Sequence, residues 1–164
     1  MSIIAWKTIN WTKVEFRVRR YQTRIYKASR DNNSPKVRCL QKRLLRSLDA
    51  KVMAVRRVTT LNKGKRTPGI DKKIFVTDNQ KGKLVQKLRL DGKASPIRRV
   101  YIQKPGKKDK RPLGIPIIED RAKQALCLLA LEPEWEARFE PNSYGFRPGR
   151  SCHDVIESIF LNLR

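Results

Sequence analysis

Negative charge is what this chain has least of. Fifteen Asp and Glu face 39 Lys and Arg, a net charge of +24 over 164 residues. That deficit rules out an ordinary balanced surface and points to a polyanion, nucleic acid ahead of an acidic membrane. Histidine is nearly missing. His153 is alone and no Cys-x-x-Cys pair exists, which excludes a zinc site. The three cysteines, Cys39, Cys127 and Cys152, are odd in number and far apart. They exclude a disulfide scaffold and suit a reducing compartment, a bacterial cytoplasm or an organelle interior. No apolar run approaches the roughly 18 residues of a membrane span, so no transmembrane segment is expected. The opening MSIIAWKTINW has neither a basic n-region nor a continuous apolar h-region, and it does not read as a secretory signal. No Walker-type glycine loop and no Ser/His/Asp or Cys/His set is suggested, so no residue is assigned a catalytic or metal-binding role.

What is present is uneven. Residues 1–66 hold 19 Lys and Arg against 3 acids, whereas residues 67–164 hold 20 against 12. This contrast sets a boundary between a basic N-terminal extension, 1–66, and the remainder, 67–164. In the first part Trp11, Val14, Val18, Tyr21 and Ile25 recur every three or four residues, one face of an amphipathic helix. Asp31 to Pro35 is a turn, with Ser34 expected as N-cap and Pro35 as first helical residue. A single second helix is expected from the stripe Val37, Leu40, Leu44, Leu48, Val52 and Val55. Two helices on a short turn make an antiparallel hairpin.

Thr67-Pro68-Gly69-Ile70-Asp71 has the chemistry of a type II turn with Gly69 at the third position. A helix is expected within 73–90, another over 119–131, and the start of a last one from Asp154. Trp135 and Phe139 read as apolar anchors of an acidic segment. Between these helices lie Arg99-Val100-Tyr101-Ile102 and Arg111 to Pro116, two strands joined by a cationic loop around Pro105-Gly106. Lys104, Lys107, Lys108, Lys110 and Arg111 suit phosphate. The fold class is therefore α+β: a basic helical hairpin, then a β-hairpin with helices.

These residues resemble a family. Arg99-Val100-Tyr101-Ile102, Lys104-Pro105 and Lys110-Arg111-Pro112-Leu113-Gly114-Ile115-Pro116 look like the first reverse-transcriptase block of group II intron reverse transcriptases, or maturases. Thr67 to Asp71 resembles the turn of the block before it, and Asn142 to Ser151 the second block. The likeness implies an N-terminal extension plus fingers, an incomplete right-hand polymerase fold. It implies a lid over the template at Pro68 and Gly69, and a nucleotide-phosphate grip by Lys104 and Arg111. Tyr144 and Phe146, interleaved with Arg147 and Arg150, can stack bases or pack; the likeness implies that the second block supports the floor of the active site, which puts packing first.

A polymerase holds two magnesium ions on carboxylates. The eight aspartates include no adjacent pair, and nothing after Asp154 matches the third block. Palm and thumb are therefore expected to be missing, Mg²⁺ is expected only with a palm, and this chain alone is expected not to polymerise. The expected partner is structured RNA. The RNA-contacting candidates are Arg56, Arg57, Lys63, Lys65, Arg66, Pro68, Gly69, Lys107, Lys108, Lys110, Arg147 and Arg150. The first five are expected to matter more than Lys104 and Arg111. Three readings stay open. One is a piece of an intron-encoded reverse transcriptase whose palm lies elsewhere or on a second chain. Another is a stand-alone, non-catalytic descendant serving an intron or ribosomal RNA within a large ribonucleoprotein or other protein complex. The third is a basic subunit docking on an acidic protein or lipid surface.

Overall fold

The computed structural model describes residues 6–163. The first five residues of the stretch read for a signal lie outside these. Helix α1 spans Trp11–Arg30, and its Asn10 cap accepts a hydrogen bond from the Lys13 N–H at 3.0 Å. Val14, Val18 and Ile25 are buried as the periodicity requires. Helix α2 spans Ser34–Arg46, and its cap is Asn33, one residue before the one expected. The Asn33 side chain accepts from the Lys36 N–H at 3.1 Å, which makes Ser34 and Pro35 the first helical residues.

The expected second helix is two. Ser47, at φ −68° and ψ 140°, ends α2 and caps α3, Leu48–Arg56, its hydroxyl accepting from the Ala50 N–H at 3.1 Å. Serine competes for backbone hydrogen bonds better at a cap than inside a helix. The break shifts the phase of the stripe: Val37, Leu40, Leu44, Val52 and Val55 are buried, but Leu48 is exposed. A π-helical turn, Arg57–Leu61, follows, then a 3₁₀ turn, Lys63–Arg66. Helix α4, Asp78–Lys87, lies within the expected 73–90 and starts where Thr77 and Gln80 form a capping box.

Strands β1, Arg98–Gln103, and β2, Lys110–Ile115, form the antiparallel hairpin, with Tyr101 opposite Pro112 and Ile102 opposite Arg111. Helix α5, Ile118–Glu136, is the centre of the core, and α1, α2 and α3 all pack on it. Its Pro133 has no N–H to give to the Leu129 carbonyl. Gln22 of α1 donates to that oxygen at 3.1 Å instead. Gln41 of α2 donates to the Ala130 carbonyl and to the Glu134 carboxylate, at 3.2 and 2.6 Å, and the Ser29 hydroxyl donates to the Glu134 carbonyl at 3.0 Å. These bonds let α5 run past Pro133 well beyond Leu131.

One core cluster thus draws on both sides of the 66/67 boundary: Val18, Ile25, Leu44 and Val55 with Val85, Leu88, Ile118 and Leu126. The α+β class holds, with helices dominant and a single two-stranded sheet among the described residues. Trp135, at the end of α5, and Phe139, just beyond it, are half exposed rather than anchoring. Helix α6, Cys152–Asn162, has no buried residue.

Candidate nucleic-acid interface

The segment leading into the lid-like turn is held from α5. Arg121 donates to the Gly64 carbonyl at 3.0 Å and to the Thr67 carbonyl. Burial pulls its guanidinium below the ordinary range, and the Asp71 carboxylate works against that shift. The expected type II turn at Pro68-Gly69 does not form. The turn lies further on, closed by the Lys72 N–H on the Gly69 carbonyl at 3.4 Å, with Lys72 at φ 54°. Gly69 is required by space: a Cβ there would stand 2.6 Å from the Ile117 Cα and 2.7 Å from its nitrogen. The absence of a side chain lets this turn lie against the start of α5. Gly69 is buried and Pro68 half-buried, so neither presents a free contact surface.

The five cations read ahead of this turn are not equivalent. Arg56 is paired with Glu15 of α1 at 2.6 Å and lies 4.3 Å above the Trp11 ring. Lys65 donates to the Thr60 carbonyl at 3.0 Å. Arg57, Lys63 and Arg66 are exposed and have no ion pair among the described residues. On the hairpin every residue from Lys104 to Arg111 is exposed. Arg111 opposes Ile102 while Lys110 opposes Gln103, so strand alternation sends these two cations to opposite faces. Lys104, Lys107 and Lys108 surround the tip, where Gly106 has φ +70° and the Lys104 N–H meets the Asp109 carbonyl at 3.1 Å.

The second-block loop differs most from expectation. Arg147 is buried: it donates to both Glu136 oxygens, at 2.6 and 3.0 Å, and to the Glu140 and Ser143 carbonyls, at 2.9 and 2.6 Å. The pair holds the Glu136 carboxyl below its usual range and the guanidinium above its own. Four of its five donors are taken, so Arg147 organises the loop and leaves little for a phosphate. Arg150 donates to the Pro141 carbonyl at 2.6 Å and lies 5.2 Å from the Tyr144 ring centre. Tyr144 is half-buried under it. Phe146, expected to pack, is fully exposed at φ 58°. With the arginines and carbonyls filling the inside of the loop, its ring points out on a strained backbone costing about 1–3 kcal/mol.

The structure also groups cations of the basic helices into two clefts. Lys42 and Arg46 of α2, Lys51 of α3 and Arg89 beyond α4 line one cleft of about 360 Å³ with Leu45 and Leu90, and no acid lines it. None of the four has an ion pair among the described residues. Arg17, Arg20 and Arg24 line a cleft of about 300 Å³ in which Asp49 is the one acid, 3.4 Å from Arg17. Their spacing of three and four is helical, a signal the sequence carries. Nothing in the sequence brings Arg89 to Lys42.

No three His, Cys, Asp or Glu side chains come together as a metal site among the described residues. The carboxylates of the described residues therefore do not fit a pair of magnesium ions. No helix among the described residues is long and apolar enough to cross a membrane.

Residues 6–88 match the family described as the N-terminal domain of reverse transcriptase. Over 114 residues the chain is 45% identical to protein YkfC of Escherichia coli (strain K12), covering 65% of this chain and 29% of that protein. It is 41% identical over 102 residues to the group II intron-encoded protein LtrA of Lactococcus lactis subsp. cremoris, covering 60% and 17%. Against maturase-like protein 1 of Euglena gracilis it is 30% identical over 163 residues, covering 93% and 34%. The chain thus spans about a third or less of the length of each of these relatives.

Proposed function

We propose, from the premise that this chain belongs to the reverse-transcriptase N-terminal domain family and corresponds to the N-terminal part of a group II intron maturase, that it binds structured RNA. The observation that carries the reading is the acid-free cleft of Lys42, Arg46, Lys51 and Arg89. Four unneutralised cations repel one another and gain most from a polyanion that bridges them. Arg57, Lys63 and Arg66, with Lys107 and Lys108 at the hairpin tip, extend the phosphate-binding surface, while Lys104 and Arg111 keep an ability to hold phosphate. Contacts of this kind fix position without reading sequence. We assign no nucleotide transfer to these residues, and we place the chain in the reducing interior of a bacterium or organelle. The test titrates one protein preparation with a structured intron-type RNA and with anionic vesicles, each over a range of salt. Tight, steeply salt-dependent RNA binding is expected. Vesicle binding of equal strength would favour a lipid-docking subunit instead.

The same reading gives α6 to protein. Ile156, Ile159, Phe160 and Leu163 are exposed on and just after it, an apolar surface that a polyanion would not cover. A palm, on a further segment or a second chain, is the partner we propose for it. Hydrogen exchange at α6 is expected to slow when a palm-bearing segment is added, and exchange that does not change would remove the assignment.

A further inference from the structure

Where α1, α3, α5 and the π turn meet they enclose another cleft, of about 540 Å³. This lies within the roughly 300–1,000 Å³ of small-ligand sites. Met53, Leu61, Ala125 and Leu129 supply its apolar surface. One wall is the Glu15–Arg56 ion pair, stiffened by the stacking of Arg56 on Trp11. Arg57 stands in the lining without an ion pair among the described residues, and the chain leaves the cleft through Asn62 into Lys63, Lys65 and Arg66. The π turn is part of the construction. Its widened ring closes with the Asn62 N–H on the Arg57 carbonyl at 2.9 Å, and such turns are frequent at functional sites. It ends on Leu61, an apolar side chain left 63% exposed at the cleft.

An apolar floor gives nothing to a bare phosphate, and a cationic rim gives nothing to a purely apolar ligand. A flat ring carrying a phosphate satisfies both. We propose that this cleft takes one unstacked nucleobase of the bound RNA. The base lies against Met53, Leu61 and Leu129, and its flanking phosphates lie on Arg57, Lys63 and Arg66. The inference rests on the RNA-binding reading above and adds a base-dependent component to it.

The test uses the whole chain and two oligoribonucleotides of equal length and charge, one of adenosines and one with abasic central positions. Both should give the same salt slope, and the base-bearing oligomer should bind roughly 5- to 30-fold tighter, the gain from burying about 40–80 Å² of apolar surface at about 25 cal/mol per Å². Leu61→Gln is neutral and exposed, so the fold is not at risk. It should remove most of that difference and leave the salt slope unchanged. Photocrosslinks from 4-thiouridine placed in the oligomer should fall on Met53, Leu61 or Leu129. Equal binding of the two oligomers, or crosslinks confined to the hairpin at Tyr101, overturns the base site while a steep salt slope preserves RNA binding. If neither oligomer nor a structured RNA binds at low salt, the RNA-binding reading itself fails and the base site with it.

Discussion

Affinity for structured RNA is expected to fall roughly 10³–10⁵-fold between 50 and 200 mM salt if six to ten phosphates are neutralised. The acid-free cleft should supply a large share of that dependence. Changing Lys42, Arg46, Lys51 and Arg89 together to Gln should lower the slope of log affinity against log salt by about 3–4 units, since each duplex phosphate contact contributes about 0.9. Lys104→Gln with Arg111→Gln should lower it by at most about 2 units on the same basis. Arg56→Gln should do less than a single free cation, because Glu15 already occupies that guanidinium at 2.6 Å. Glutamine keeps most of the stem, which covers apolar surface, so circular dichroism should be unchanged in all three. The ranking is overturned if the hairpin pair abolishes binding while the four-residue variant keeps its slope.

Leu126→Ala is expected to destabilise the whole chain by about 2–5 kcal/mol, the usual effect of truncating a fully buried leucine. Leu126 is inaccessible to solvent on α5, and the core it joins includes residues of α1, α2 and α3. The thermal midpoint should drop by roughly 5–20 °C for a domain of this size. A single transition should remain, with the basic helices melting together with α5. Leu128→Ala, at an exposed position on the same helix, is the control and should cost within about 0.5 kcal/mol. If α1 to α3 keep their helicity after α5 has melted, the description of one shared core is wrong.

The two outcomes bear on how far the sequence could be read. Periodicity gave the buried faces of α1 and α5 and most of α2 and α3, because a 3.6-residue repeat of apolar side chains leaves little freedom about which side goes inward. The β-hairpin was legible from β-branched residues on either side of Pro105-Gly106. The motifs pointed to the family that residues 6–88 match. Local competition was less legible. Ser47 splits a continuous stripe because a cap there outweighs one more helical turn, and Asn33 displaces Ser34 for the same kind of reason.

Gly69 carries the sharpest lesson about motifs. The Pro-Gly pair suggested a positive φ, but the glycine is needed for its closeness to Ile117, a residue 48 positions away. The sequence by itself determined the charge, the helical faces, the hairpin and the family. Tertiary structure alone decided which cations are free. It ties Arg147 to Glu136 and Arg56 to Glu15, turns Lys110 and Arg111 to opposite faces, and brings Arg89 beside Lys42, Arg46 and Lys51. Charge composition is a sum over the chain and is fixed by residue identity. The availability of a charge depends on which acid or carbonyl lies within about 3 Å of it in space, and those neighbours are set by packing between distant segments.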